Sequence, residues 1–198
     1  MENDNQETVP EIPALTSEYI NQLPALTFRG PIHLISTHKE LDSALDTLRK
    51  EPCVGFDTES RPAFSKGQKY PISLIQFATP SDAFIIRFLP VTFNDSLVSF
   101  MESSTEKIGV GIKDDIRKLK MEKAFNPKAM VDLSEIAKKK GHQKSSLRAL
   151  SACYLQHRIV KSSQKTNWAR SNLTETQLRY AATDAWACLL IRPLLESS

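Results

Sequence analysis

Two carboxylates stand one residue apart in the segment VGFDTES, where a short apolar run leads into Asp57 and Glu59. If this run is a strand, residues i and i+2 point to the same side, so both acids share one face. Ionised carboxylates are costly to bury unless a partner neutralises them. The simplest interpretation is a solvated strand end, and the alternative is a pair of metal ligands.

Two further acids lie in segments that otherwise resemble protein core. Asp115 follows GVGI, in the first turn of a predicted helix whose N-terminus favours negative charge. Asp184 lies in the apolar helix LRYAATDAWACLLI, one turn after Tyr180. Taken singly, Asp115 could be a helix-terminus acid and Asp184 an acceptor for a buried hydroxyl or indole. Taken with Asp57 and Glu59, the four acids favour a divalent cation, and oxygen ligands without Cys or His favour magnesium or manganese.

The elements that must position these acids follow from hydrophobic periodicity. A helix is predicted after Thr37, which begins a capping box with Glu40. Five strands are predicted, at 33–36, 53–59, 72–79, 83–88 and 107–112. Later helices are predicted at about 93–103, from 113, and at 132–140, 145–154 and 174–192, with no strand beyond residue 120. Strands interleaved with helices indicate an α/β domain with a mixed sheet.

The 198 residues suit one domain with a real core. Residues 1–28 carry five acids, three prolines and no Lys or Arg, so we predict an acidic N-terminal arm at 1–28 before a domain at 29–198. The chain has no apolar run of transmembrane length and no secretory signal pattern at its start. Its three cysteines form no CxxC pair, which is typical of reduced thiols in a cytoplasmic protein without membrane attachment.

Positive charge is concentrated in one stretch. Residues 136–174 contain nine Lys or Arg and no acid. Such a stretch is typical either of a surface that binds an anionic polymer or of an ordinary solvated helical face.

The motifs resemble those of the DEDD superfamily of 3′–5′ exonucleases. The branch concerned has a tyrosine in its third motif and includes the Werner-syndrome exonuclease domain and ribonuclease D. FDTE matches the first motif, GVGIKDDIRKL the second and YAATD the third, with the second-motif Asp on Asp115 rather than Asp114. SLIQFAT, VDLSEIA and KSSLRALSACYL agree as well, so the resemblance covers about residues 30–195.

The resemblance implies an RNase H-like fold, with a mixed five-stranded sheet flanked by helices, and two magnesium or manganese ions. One ion would be held by Asp57, Glu59 and Asp184 and would generate the attacking hydroxide. The second would be held by Asp57, with Asp115 acting through water, and would stabilise the leaving 3′ oxygen. Tyr180 would orient the attacking water, because a phenol with a pKa of about 10 is a poor base.

The implied partner is single-stranded or 3′-recessed nucleic acid. Lys161 and Lys165 are expected to contact phosphates, since they precede the family-like pair Asn167-Trp168. Trp168 and Phe64 could stack on a base, although buried packing is favoured for Trp168. Gln76 resembles a family position beside the terminal nucleotide, but it could equally be a sheet side chain. The full set assigned to substrate binding is Thr58, Arg61, Lys66, Gln76, Lys161, Lys165 and Trp168.

Three functions follow from these motifs. A metal-dependent 3′–5′ exonuclease that acts on DNA is favoured, and an RNA 3′-end trimming enzyme of the ribonuclease D type is the alternative. A nucleic-acid-binding module without turnover is the third, and the intact set of four acids and Tyr180 argues against it.

Overall fold

The computed structural model describes residues 15–198 except 64, 66, 67, 69 and 162. Within this part of the chain, six strands form one sheet: β1 Ile32–Ile35, β2 Cys53–Ser60, β3 Ile72–Ala78, β4 Ala83–Arg87, β5 Glu106–Gly109 and β6 Met130–Asp132. The helices are α1 Ser17–Gln22, α2 His38–Leu48, α3 Phe88–Val91, α4 Asp95–Met101, α5 Lys113–Glu122, α6 Leu133–Lys139, α7 Leu147–Leu150 and α8 Glu175–Ser197. A π-helical turn over Ser151–Leu155 continues α7. The predicted α/β class is confirmed.

The strand order across the sheet is β1-β4-β3-β2-β5-β6. Strand β3 runs antiparallel to both of its neighbours, and the remaining pairs are parallel. The sheet has one strand more than the five predicted, because β6 pairs with β5 at Met130–Asp132. A strand of three residues is too short to show the alternation by which strands are identified in a sequence.

Helices cover both faces of the sheet. On one face, Leu41 and Leu45 of α2, Leu97 of α4 and Leu119 of α5 pack into one buried cluster with Phe56. On the other face, Ala181 and Ala185 of α8 pack on Leu74 and Ala78 of β3. The predicted capping box of α2 is confirmed, since the Thr37 hydroxyl accepts from the Glu40 N–H and the Glu40 carboxylate accepts from the Thr37 N–H.

Strand β2 and helix α8 approach unusually closely at Gly55. A Cβ atom added to Gly55 would lie 2.0 Å from the carbonyl oxygen of Ala185. Only a residue without a side chain permits this backbone contact. Because Asp57 lies two residues beyond Gly55 and Asp184 directly precedes Ala185, this contact fixes the distance between the two acids.

The described part of the N-terminal arm is packed on the domain and contains the helix α1, which was not predicted. Ile20 and Phe28 are buried, and the Phe28 N–H donates to the Thr183 hydroxyl of α8 at 3.0 Å. A backbone bridge joins Ala25 to Arg158. Residues 15–28 therefore belong to the packed structure.

Lys107 of β5 is a fully buried cation. Its Nζ donates to the carbonyl oxygens of Phe100, in the last turn of α4, and Ser103, just beyond that helix, at 3.3 and 3.0 Å. These carbonyls lie at a helix end, where oxygens lack helical partners and favour positive charge. Burial nevertheless lowers the pKa of Lys107 to about 8.

None of the helices in the described part of the chain has the length and apolar character needed to cross a membrane.

Candidate active site

Three carboxylates converge where β2 passes beneath α8. Carboxylate oxygens of Asp57, Glu59 and Asp184 all lie within 4.8 Å of one another. Asp57 and Glu59 share a face of β2 because they are two residues apart on a strand. Asp184 is held against them by the backbone contact at Gly55. The structure thus brings together three of the four acids that the sequence singled out, and we call them the acid cluster.

Asp115 lies beside the acid cluster and is linked to it through Thr58. The Thr58 hydroxyl donates to Oδ1 of Asp115 at 2.5 Å. Asp115 is in the first turn of α5, and Asp132 holds the residues before that helix by accepting from the N–H groups of Gly111 and Ile112, at 2.9 and 3.2 Å. Thr58, which the sequence assigned to substrate binding, therefore also fixes the position of the fourth acid.

Burial and mutual repulsion make the acid cluster unfavourable in its ionised form. Burial raises the pKa of Glu59 to about 10, and the charges of Asp57, Asp184 and Asp115 add to the shift. Burial also raises the pKa of Asp184 to about 7. The pKa of Asp57 lies well above its usual range because of burial, with further contributions from Asp184 and Asp115. Without a cation, the acid cluster must hold protons.

The donor set of the acid cluster suits a hard divalent cation. The ligand atoms are carboxylate oxygens, which magnesium and manganese prefer. Oδ1 of Asp184 is buried and has no hydrogen-bond partner among the described residues. A bound cation would satisfy this oxygen and remove the repulsion among the three acids.

Tyr180 lies one helical turn before Asp184 on α8. Burial and the negative charge of Asp184 raise the pKa of its phenol far above the usual range. The phenol therefore stays protonated at neutral pH and acts as a hydrogen-bond donor. Tyr180 also lines two cavities that meet at Asp184, one of which contains Asp57, Thr58 and Glu59.

Two residues predicted to contact substrate are buried instead. Gln76 is 0% exposed, faces Asp57 across the β2–β3 pair and lies beneath α8. Trp168 is 1% exposed and packs on Tyr180, with ring centroids 5.8 Å apart. Helix α8 covers this face of the sheet. Both side chains therefore take the buried positions that the sequence left open for them, and contact of either one with a nucleotide stays a prediction. The amide of Gln76 and the indole N–H of Trp168 have no hydrogen-bond partner in the described part of the chain.

The other predicted contacts lie at the surface. Lys161 and Lys165 are exposed, and Gln164, which directly precedes Lys165, lines the cavity above the acid cluster. Arg61 is exposed and lies over the Tyr70 ring, with its guanidinium carbon 4.9 Å from the ring centroid. Lys66 and Phe64 lie outside the described residues.

The sequence analysis missed four residues that line this region. Gln164, Val110 and Leu147 line the cavity that contains Asp57 and Glu59. Lys118 donates from Nζ to the Ser60 hydroxyl at 3.2 Å, next to Glu59. The position of Lys118 one turn after Asp115 was the available signal, since residues i and i+3 share a helix face.

The basic stretch 136–174 does not form one free surface. Three of its nine Lys and Arg side chains donate hydrogen bonds to the N-terminal arm. Lys144 donates to the Leu15 carbonyl at 2.5 Å, Arg148 to the Asn21 side chain at 2.7 Å and Arg158 to the Leu23 carbonyl at 2.9 Å. The exposed residues Lys161 and Lys165 lie apart from these contacts, beside the cavity above the acid cluster.

Comparisons with known proteins show which sequences the chain is similar to. A family described as 3′–5′ exonuclease matches residues 32–198. A 3′–5′ exonuclease of Arabidopsis thaliana is 33% identical over 181 residues, which cover 83% of this chain and 63% of that protein. The mouse bifunctional 3′–5′ exonuclease/ATP-dependent helicase WRN is 33% identical over 86% of this chain and 13% of its own length. The chain thus spans less than two thirds of the length of these curated relatives.

Solved structures give the same fold. The crystal structure of the Aedes aegypti Nibbler EXO domain matches with a TM-score of 0.78 and 26% identity, over 87% of this chain and 92% of that one. Escherichia coli RNase D matches with a TM-score of 0.76 and 24% identity, over 84% of this chain and 44% of that one. The predicted RNase H-like fold is confirmed by these matches.

Proposed function

Because the chain belongs to the 3′–5′ exonuclease family of the DEDD type, like WRN and ribonuclease D, we propose that it removes nucleotides from the 3′ end of nucleic acid by metal-dependent hydrolysis. One observation carries the proposal: oxygens of Asp57, Glu59 and Asp184 lie within 4.8 Å of one another. They do so although the acids repel one another and burial removes their contact with water. Such an arrangement is stable only with protons or with bound cations.

Two magnesium or manganese ions are part of this proposal. Asp57, Glu59 and Asp184 would hold the first, and Asp57 with Asp115 the second. When bound, such a pair supplies charge stabilisation for the attacking and leaving oxygens of a phosphodiester. Thr58 keeps Asp115 in place through its hydrogen bond, and this contact supports a role for Asp115 at the edge of the site.

The remaining residues act on water and on the strand. Tyr180 lines the cavity that contains the acid cluster, and its phenol would orient water there. Gln164 lines the same cavity, and the exposed Lys161 and Lys165 on either side of it attract phosphates of the 3′ end. Val110 and Leu147 give this cavity an apolar wall that suits a sugar or a base.

DNA is the proposed substrate, and RNA is the second candidate. The resemblance to the Werner-type exonuclease favours DNA, and mouse WRN is 33% identical to this chain. The ribonuclease D of Haemophilus influenzae, at 26% identity, is the observation that keeps RNA in view.

A strand-shortening assay tests the function directly. Single-stranded DNA, 3′-recessed duplex DNA and RNA carry a label at the 5′ end and are incubated with magnesium, manganese or EDTA. We expect a ladder that shortens from the 3′ end only with metal, and Asp57→Asn should abolish it. Asp42→Asn removes an exposed acid of α2 and serves as the matched control. Intact strands under every metal condition would refute the proposed activity.

We also propose that residues 29–198 are the catalytic domain and that residues 1–28 are an accessory arm. The matched family residues begin at 32, which supports this division. A cytoplasmic location is part of the same proposal, and it is supported by the free thiols of Cys53, Cys153 and Cys188.

A further inference from the structure

A groove with a volume of about 280 Å³ opens beside the acid cluster, on the side of α5. It is separate from the cavities that contain Tyr180 and Asp184. Among the residues that the structure describes, those lining it are Tyr70, Pro71, Arg117, Lys118, Met121 and Glu122. The proposed function does not use this groove.

Lys118 connects the groove to the acid cluster. Its side chain is half-buried, and its Nζ donates to the Ser60 hydroxyl at 3.2 Å, directly after Glu59 on β2. Because Ser60 directly follows Glu59, this hydrogen bond places the Lys118 ammonium group close to the acid cluster. A group bound to Lys118 from the groove would therefore lie next to the scissile phosphate.

Charge balance indicates what Lys118 would bind. Four carboxylates and two divalent ions sum to zero, so each phosphate of a bound strand still needs a countercharge. Lys118 supplies one within reach of the acid cluster. Arg117 supplies another at the groove wall, where Asp114 partly offsets it at 3.1 Å. Glu122 is the acid that lines the groove itself.

The other walls of the groove suit a nucleobase. The Tyr70 hydroxyl accepts from the Gln68 amide at 2.5 Å, and the Arg61 guanidinium carbon lies 4.9 Å from its ring centroid. The ring is thereby fixed at both its edge and one face. Met121 is 77% exposed on α5, which leaves an apolar, polarisable side chain at the rim. Cations beside an aromatic ring and an apolar rim are the components of single-strand binding surfaces.

We propose that this groove is a second nucleotide subsite, which holds a phosphate and a base on the 5′ side of the scissile phosphodiester. Lys118 binds the phosphate, and Tyr70 and Met121 contact the base. The inference rests on the proposed function, because it takes the acid cluster as the point of cleavage.

Binding of a 5′-labelled 12-nucleotide strand, measured in EDTA over a range of KCl concentrations, tests the subsite. Lys118→Met should weaken binding and reduce the slope of log affinity against log salt by about 0.7, since one phosphate contact is lost. Tyr70→Ala should weaken binding by at least about fivefold, and Tyr70→Phe should retain most of the affinity. Lys50→Met is the matched control. It also removes one positive charge, at a residue that precedes β2, and it should bind the strand like the wild type.

Strand length distinguishes a subsite from a structural role of Lys118. In manganese, Lys118→Met should lower kcat/KM for the 12-nucleotide strand more than for a dinucleotide, which has no phosphate upstream of the scissile one. Lys118→Arg should restore most of this loss. An equal loss on both substrates, or an unchanged salt slope, would overturn the subsite.

Two other outcomes are separable. If the wild type shortens no strand, the proposed function fails, whereas normal shortening with unchanged Lys118→Met and Tyr70→Ala variants refutes the subsite alone. If strand binding is unchanged and Met121→Lys alters the mass measured by light scattering, the groove is a self-association surface and the proposal is wrong.

Discussion

Replacing Gly55 by alanine should damage the acid cluster without touching any of its acids. The added Cβ would lie 2.0 Å from the Ala185 oxygen, whereas real Cβ contacts essentially never fall below 3.0 Å. Helix α8 must therefore retreat from β2 by at least about 1 Å. Asp184 moves with it, because it directly precedes Ala185.

The retreat is large compared with what a metal ion tolerates. Two oxygens that bind one magnesium ion at about 2.1 Å can be no more than about 4.2 Å apart. The three carboxylates now lie within 4.8 Å of one another, which small side-chain adjustments can close. A further displacement of about 1 Å places Asp184 beyond that range. We expect metal affinity to fall on the order of 10- to 100-fold, as it does when supporting contacts of metal sites are lost.

The assay is thermal unfolding over a manganese titration, combined with strand shortening. Overpacking should cost Gly55→Ala about 1–3 kcal/mol of stability in EDTA. Leu45→Ala is the control, since it removes buried volume from α2 on the opposite face and should cost about 2–5 kcal/mol without moving Asp184. It should retain the manganese midpoint of the wild type. A Gly55→Ala protein that binds manganese and shortens strands as the wild type does would refute the reasoning.

Three more predictions concern charged groups. In EDTA the free energy of unfolding should fall as pH rises from about 4.5 to 10, because the folded state holds the Glu59 proton over that range. Urea unfolding measures this dependence, and Glu59→Gln should flatten the slope of unfolding free energy against pH. Lys107 should change stability with pH in the opposite direction, because the unfolded state binds its proton more tightly between about pH 8 and 10.5. The stability of the wild type should therefore rise over that range relative to Lys107→Met. Equal slopes of stability against pH in the two proteins would contradict the burial argument. Asp132→Ala removes the cap of α6 and the acceptor for the N–H groups of Gly111 and Ile112. It should lower stability by about 0.5–2 kcal/mol and weaken manganese binding through Asp115. Asp132→Asn should lose less stability and less manganese affinity.

The sequence predicted the acid cluster better than its surroundings. Asp57, Glu59 and Asp184 could be grouped because each is a charge in an apolar element, a conflict that a common cation would resolve. Buried positions for Gln76 and Trp168 could be named from the sequence, but strand periodicity does not show which face of the sheet a later helix covers at Gln76. Gln164 was missed because a single polar residue on a turn has no distinguishing pattern, whereas the helical spacing of Lys118 from Asp115 was a signal that could have been used. The contacts of Lys144, Arg148 and Arg158 with the arm join distant parts of the chain, so no local pattern indicates them.

Those arm contacts also have a consequence for the order of folding. The hydrogen bond between Arg148 and Asn21 spans 127 residues, and the one between Phe28 and Thr183 spans 155. Closing such long loops costs chain entropy before any contact forms, whereas the β3–β4 pair and the cap of α2 need only short loops. Residues 15–28 are therefore expected to dock last and to open first. Their backbone amides should exchange with solvent deuterium sooner than those of β2, and the wall of the cavity formed by Leu26 and Thr27 beside Tyr180 is then the first part of this site to loosen on heating.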